Sequence, residues 1–292
     1  MTINTKTNRT PAIKRGWLRG VLIIIPYFIV VVIFSFSVSY LVGIDMLISP
    51  EEQKLSYFQE FSKTFSIFIA TILIIGIFRK YIDRDSFLSL GFATKNKLKD
   101  VIIGIGLGFL IMSIGLAILV YFNEIKVAAF TFKSFDILFY ILFFILISVN
   151  EEILMRGYIL NNFMLSFNKY IALVFTALLF SLMHGLNPSM DWFSVTSLFL
   201  AGILLGVTYI YTKNLWFPIA LHFSWNFFQS IYGFKVSGTQ TANSMFSLEI
   251  SQNNRWNGGG FGFEGSYLCL IAECLLILSV FYYYRKKEHT NI

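Results

Sequence analysis

The chain has 292 residues, of which 56% are hydrophobic and only 13% charged, with a mean hydropathy of +0.69 and a net charge of +7. Soluble domains carry about 25% charged residues, so this composition excludes an ordinary soluble domain. It also excludes a nucleic-acid partner, because the basic residues flank apolar segments instead of lining one face.

In chain order, eight apolar runs are long enough, or nearly so, to cross about 30 Å of hydrocarbon at 1.5 Å per residue. They lie near 17–42, 60–79, 101–122, 135–160, 170–186, 192–212, 215–232 and 266–284. The fifth and seventh are short, which suits helices packed among neighbours or ending at a cavity. The first is too long for a signal-peptide core and no small-residue cleavage site follows it, so it is expected to remain as an anchor. The fold expected is all-α: a polytopic membrane protein of about eight transmembrane helices with its site in the bundle core. Three regions follow, with N-terminal helices and a basic flank over 1–84, a core over 85–232, and a Gly-rich loop, final helix and basic tail over 233–292.

Charge predicts orientation. Lys6, Arg9, Lys14, Arg15 and Arg19, then Arg79, Lys80, Arg84, Lys95, Lys97 and Lys99, then Lys169, Lys213 and Arg285–Lys287 fall on one side of an eight-span chain. Only Lys54, Lys63, Lys126, Lys133, Lys235 and Arg255 fall on the other. The positive-inside rule then puts both termini in the cytoplasm, and an even number of spans keeps the basic tail there. The largest segment between spans, 233–265, is rich in Gly, Ser and Asn and reads as a flexible outer loop. Gly104–Gly108 and Gly202–Gly206 are GxxxG pairs, which in apolar helices signal close backbone approach. Gly104-Ile-Gly-Leu-Gly108 also matches the start of a dinucleotide fingerprint, but it follows no strand and opens no βαβ unit. Cys269 and Cys274, five positions apart in one apolar run, form neither a disulfide framework nor a CxxC metal site. Glu273 in the last span reads as a polar partner for a neighbouring helix.

Chemistry is concentrated in three spans. Carboxylates at membrane depth cost roughly 2.5–3.5 kcal/mol on insertion scales, so an intramembrane acid is a functional candidate by default. Glu152 and Arg156 are four apart and share a helix face, where they can pair. Glu151 points about 100° away with no partner at i+3 or i+4 and is left as a candidate base. An ion cluster that only fixes helix packing is the competing reading of these three residues. His184 closes the fifth run, where a single histidine is more often a satisfied structural residue than a catalyst. His222 and Asn226, four apart in the seventh run, could hydrogen-bond a neighbouring helix or present two donors to an oxyanion.

The ordered set Glu151-Glu152-x-x-x-Arg156, Phe180-x-x-x-His184 and His222-x-x-x-Asn226, each on its own span, resembles the CAAX protease and bacteriocin-processing (CPBP, or Abi) family of intramembrane proteases. The resemblance covers roughly 85–230, starting at Phe87-Leu-Ser-Leu-Gly-Phe92. It implies an endopeptidase acting on a peptide or membrane-protein substrate, with 85–232 as its protease core. It assigns Glu151 and His184 to water activation, His222 and Asn226 to the oxyanion, and Glu152 and Arg156 to support of the site. Glu151, His184 and His222 could form an open three-ligand zinc site, or could work without metal, which is the expectation carried forward. GxGD, GxSG and HExxH signatures of other intramembrane proteases are absent. A non-catalytic immunity factor, chaperone or transporter that keeps the polar cluster is the alternative.

A composition rich in Phe, Ile, Asn and Lys suggests a bacterium with an AT-rich genome. Protein prenylation is not expected there, so a bacteriocin leader, signalling peptide or lipoprotein fragment is the expected substrate. Counting residues from the basic side puts the three groups about 12–21 Å deep, predicting a water-filled cavity open toward the cytoplasmic half and cleavage near that face.

Overall fold

The computed structural model describes residues 10–45, 48, 53, 55–240, 244–250 and 252–290. Each of the eight apolar runs is a helix: α1 Gly16–Leu41, α2 Tyr57–Asp83, α3 Leu98–Tyr121, α4 Ser134–Phe163, α5 Lys169–Met183, α6 Trp192–Thr212, α7 Trp216–Ile231 and α8 Tyr267–Thr290. In hydrocarbon a backbone can satisfy its own polar groups only as a helix or a closed barrel, and runs of this length have the first option alone. Six of the eight are long and apolar enough to cross a membrane, while α5 and α7 are the shorter pair, as their sequence lengths predicted. The molecule is thus an all-α, multi-pass membrane protein. Two helices widen to π geometry near one end, over Phe78–Asp83 in α2 and Ile153–Leu160 in α4.

The basic segments gather at one end of the bundle. There the Ala12 amide donates to the Ile82 carbonyl at 2.8 Å, Arg19 pairs with Asp83 at 2.8 Å, and Asn214 donates to the Ala93 carbonyl at 2.9 Å. Tyr284 of α8 stacks on Tyr211 of α6 with ring centroids 4.7 Å apart, which brings the C-terminal tail to the same end as the N-terminal flank. Lys6, Arg9 and Lys54, used in the charge argument, lie outside the described residues.

The opposite end differs from expectation. Instead of a loose loop, the described parts of the segment, 233–240, 244–250 and 252–265, fold over the bundle. Its β2 (Phe246–Glu249) pairs antiparallel with β1 (Lys126–Phe130), with Lys126 opposite Glu249. Asn254 donates to Glu124 at 2.7 Å, Asn187 donates to the Ser237 carbonyl at 2.9 Å, and the Gly238 amide donates to the Phe261 carbonyl at 2.9 Å. Phe261 and Phe263 are both 1% exposed. The glycines serve tight turns: Gly258 has φ 84°, and a Cβ there would lie 1.8 Å from the Gly262 carbonyl oxygen. A Gly-rich composition signals backbone freedom, and here that freedom is used for close approach.

The two GxxxG pairs decide which helices meet. A Cβ at Gly104 would lie 2.8 Å from the Ala220 Cβ, and one at Gly108 would lie 2.1 Å from Ser224 Oγ, so α3 and α7 pack backbone to backbone. Ser224 then donates to the Gly104 carbonyl at 3.0 Å. Gly202 of α6 lies equally close to Ala177 of α5. Forcing a larger side chain into such a contact costs roughly 1–3 kcal/mol. Gly108→Val is therefore expected to lower the thermal midpoint of the detergent-purified protein, whereas Gly106→Val, with nothing within 4 Å of its Cβ position, is expected to leave it unchanged. Equal effects of the two would remove the packing argument.

Candidate active site

The close helix pairs carry the polar residues inward. The α3–α7 contact holds the helix bearing His222 and Asn226. The α5–α6 contact, tightened by Ser181 Oγ donating to the Val195 carbonyl at 2.7 Å, holds the helix that ends at His184. Glu151 and Glu152 close the regular part of α4, just before the π-helical stretch. Such wide turns re-aim side chains and are frequent at functional sites.

Glu152 is fully buried and accepts two hydrogen bonds on Oε1, from Arg156 Nη1 at 2.7 Å and from His222 Nδ1 at 2.9 Å. Arg156 also donates to the Gly202 carbonyl at 3.0 Å and lies 4.7 Å from the centroid of the Phe180 ring. The expected i, i+4 pair is present. Its link to His222 was not anticipated, because spacing along one helix says nothing about a partner 70 residues away.

Glu151 faces the bundle interior. Its Oε2 is 3.8 Å from His184 Nε2 and 3.9 Å from His222 Nε2, and it has no hydrogen-bond partner among the described residues. Separations beyond 3.5 Å leave room for a bridging water. The tautomers follow from the partners. His184 Nδ1 lies 2.8 Å from the Phe180 carbonyl, which can only accept, so Nδ1 carries the proton. His222 Nδ1 likewise donates to the Glu152 carboxylate. Both histidines therefore turn Nε2 toward Glu151. Asn226, one turn beyond His222, is 6% exposed and faces the same space.

That space is a cavity of about 400 Å³. Glu151, His184, His222 and Asn226 line it, with Phe143, Phe144, Leu204 and Leu205 as apolar walls. Arg156 and Glu152 stand behind it. Its other polar lining is Glu273 of α8 and, from the end opposite the basic segments, Glu60, Asn187, Ser237, Thr239, Gln240 and Glu264. None of the lining comes from the connections 84–97, 164–168 or 213–215 at the basic end. The predicted opening toward the basic side is therefore corrected. Counting residues assumed that His184 lay part-way along its span, but α5 ends at Met183 and His184 caps its far end.

Glu264 had no role in the sequence reading. It was legible only as the single charged residue among the glycines and phenylalanines of 258–265. Its Oε2 accepts from the Ser237 amide at 2.6 Å and the Ser237 hydroxyl at 2.9 Å. Burial pushes its carboxyl above the usual range, against the opposing effect of those hydrogen bonds. Glu273 accepts from Ser197 Oγ of α6 at 3.3 Å, the neighbouring-helix contact expected of it, and also lines the cavity.

The donor types at the centre, one carboxylate oxygen and two imidazole Nε2 atoms oriented by outer hydrogen bonds, suit zinc. The spacing does not. Ligands bound tetrahedrally at about 2.0–2.2 Å stand roughly 3.4 Å apart, and the Glu151–histidine separations exceed this by about half an ångström. No group of three metal-binding side chains close enough to hold an ion occurs among the described residues.

Residues 133–228 match the family model described as type II CAAX prenyl endopeptidase Rce1-like. No curated protein matches the chain. The matched segment begins just before α4 and ends within α7, so it contains all six of Glu151, Glu152, Arg156, His184, His222 and Asn226. Phe87–Phe92, where the motif resemblance begins, lies outside it. The match supports an intramembrane protease of CAAX type, in line with the motif resemblance.

Proposed function

With that match as the premise, we propose that the chain is an intramembrane endopeptidase in which Glu151 and His184 activate a water molecule. The observation that carries this reading is the gap between Glu151 Oε2 and the two Nε2 atoms, 3.8 and 3.9 Å wide, at the wall of a cavity. A water there donates one proton to Glu151 as its oxygen attacks the peptide carbonyl carbon. The carbonyl oxygen becomes an oxyanion. Asn226 Nδ2, and His222 when Nε2 is protonated, supply the donors that meet it. Collapse of the tetrahedral intermediate breaks the C–N bond, and the proton held by Glu151 passes to the leaving nitrogen. Arg156 and Glu152 act indirectly, with Glu152 fixing the His222 ring through Nδ1.

Among the described residues the cavity lining includes Glu60, Glu151, Glu264 and Glu273 but no lysine or arginine. A free C-terminal carboxylate finds no countercharge there, which favours an internal bond of a membrane-associated peptide over removal of a C-terminal tripeptide. The segregated basic residues favour a cell-membrane location with both termini cytoplasmic.

Comparative peptidomics of membranes holding wild-type or Glu151→Ala protein tests the activity. Peptides present only with the wild type are the expected result. Identical peptidomes would favour the immunity, chaperone or transport alternative. Metal dependence has its own measurement. The detergent-purified protein is expected to carry far less than one zinc per chain and to keep its activity in strong chelators. A stoichiometric metal lost together with activity would replace the metal-free scheme.

A further inference from the structure

We infer that the cavity receives its substrate from the extracytoplasmic face of the membrane, as a polypeptide segment on the outer-leaflet side. This rests on the protease reading for the word substrate, but the direction of access stands on geometry and charge alone.

Two independent observations meet. First, the cavity's polar mouth is built from one end of the bundle. Asn187 follows the end of α5, Ser237, Thr239 and Gln240 follow α7, Glu264 precedes α8, and Glu60 lies in the first turn of α2. Thr239 and Gln240 are exposed, while Met155 and Leu221 line its inner part. Hydrogen bonds from Asn187 to Ser237 and from Ser237 to Glu264 tie these segments into one rim. Second, this end carries few cations. The basic cluster occupies the other end, where the N-terminal flank, the α2–α3 connection and the C-terminal tail meet. Basic loops are retained in the cytoplasm. The rim therefore faces outward, and the catalytic groups are reached through it.

The consequence is a specific substrate class. A peptide anchored by a lipid on the cytoplasmic leaflet would have to cross the bundle to reach Glu151, whereas a segment already exported, or emerging from the outer leaflet, meets the rim directly. The exposed rings of Trp192, Trp256 and Tyr267, close to one another through Phe193, suit an interfacial belt at this end.

The decisive measurement is thiol accessibility, which does not need catalysis. One cysteine at a time is introduced, at Met183 on the cavity wall, at Thr239 on the rim or at Lys95 at the basic end, in a background with Cys274→Ser that keeps the buried Cys269. Sealed right-side-out and inverted membrane vesicles are treated with a membrane-impermeant maleimide. Met183→Cys and Thr239→Cys are expected to label in right-side-out vesicles and to lose labelling in inverted ones, with Lys95→Cys the reverse. Labelling of Met183→Cys only in inverted vesicles overturns the inference, and so does labelling from neither face. Ile147→Cys, also on the wall, replaces Met183→Cys if that variant fails to accumulate. If labelling is as expected but the peptidomes are identical, the access route stands and the protease reading falls.

Discussion

Replacing Glu151 with alanine is expected to abolish proteolysis while leaving membrane insertion and thermal stability near those of the wild type. A positioned general base contributes typically 10²–10⁴-fold to rate, and without it the water has only the imidazole Nε2 atoms of His184 and His222 to take its proton. Stability should hold because Glu151 Oε2 lacks a hydrogen-bond partner among the described residues and its side chain is 29% exposed to the cavity. Its removal strands no countercharge. Turnover of a substrate found by peptidomics, measured beside a thermal scan in detergent, checks both halves. An active Glu151→Ala protein removes the base assignment, whereas an inactive but unfolded one contradicts the separation of catalysis from support.

Arg156→Ala should fail in the other way. Glu152 is 0% exposed and would lose its only guanidinium, leaving a buried carboxylate with the His222 ring as its remaining described partner. Breaking a buried pair by removing one side costs roughly 3–5 kcal/mol, a large part of the 5–15 kcal/mol that holds a typical protein folded. Low yield and a lowered thermal midpoint are expected together with lost activity. Arg156→Lys should recover little, because an ammonium can meet Glu152 but cannot also fork to the Gly202 carbonyl and stack on Phe180. The double variant Glu152→Gln with Arg156→Met removes both charges and should regain yield without activity, since His222 then lacks the carboxylate that orients it. Wild-type yield and activity from Arg156→Ala would refute the supporting role.

These two outcomes separate residues that the sequence presents as one motif. Glu151 and Glu152 are adjacent and chemically identical, yet their neighbours give them different work. That division was partly legible beforehand. The i, i+4 offset of Glu152 and Arg156 is a property of any helix, so the pair could be read from spacing. The orientation of Glu151 away from it follows from the same geometry. Glu273 could likewise be expected to find a partner on another helix, because a lone carboxylate in an apolar run needs one.

The helices themselves were determined locally. An apolar run of about 20 residues has one low-energy form in hydrocarbon, whatever its neighbours, and the eight runs are helices where hydropathy put them. The GxxxG pairs also announced close contacts, but not with which partner. Only the tertiary structure decided that Gly104 and Gly108 seat the helix of His222 and Asn226, while Gly202 seats that of His184. It alone joined His222 to Glu152 and brought two Nε2 atoms to Glu151 across three helices. It also turned a glycine-rich stretch into the folded rim of the cavity and set the direction in which that cavity faces. Local rules depend on interactions within a few residues along the chain, whereas contacts between helices depend on which surfaces interlock after all of them have formed.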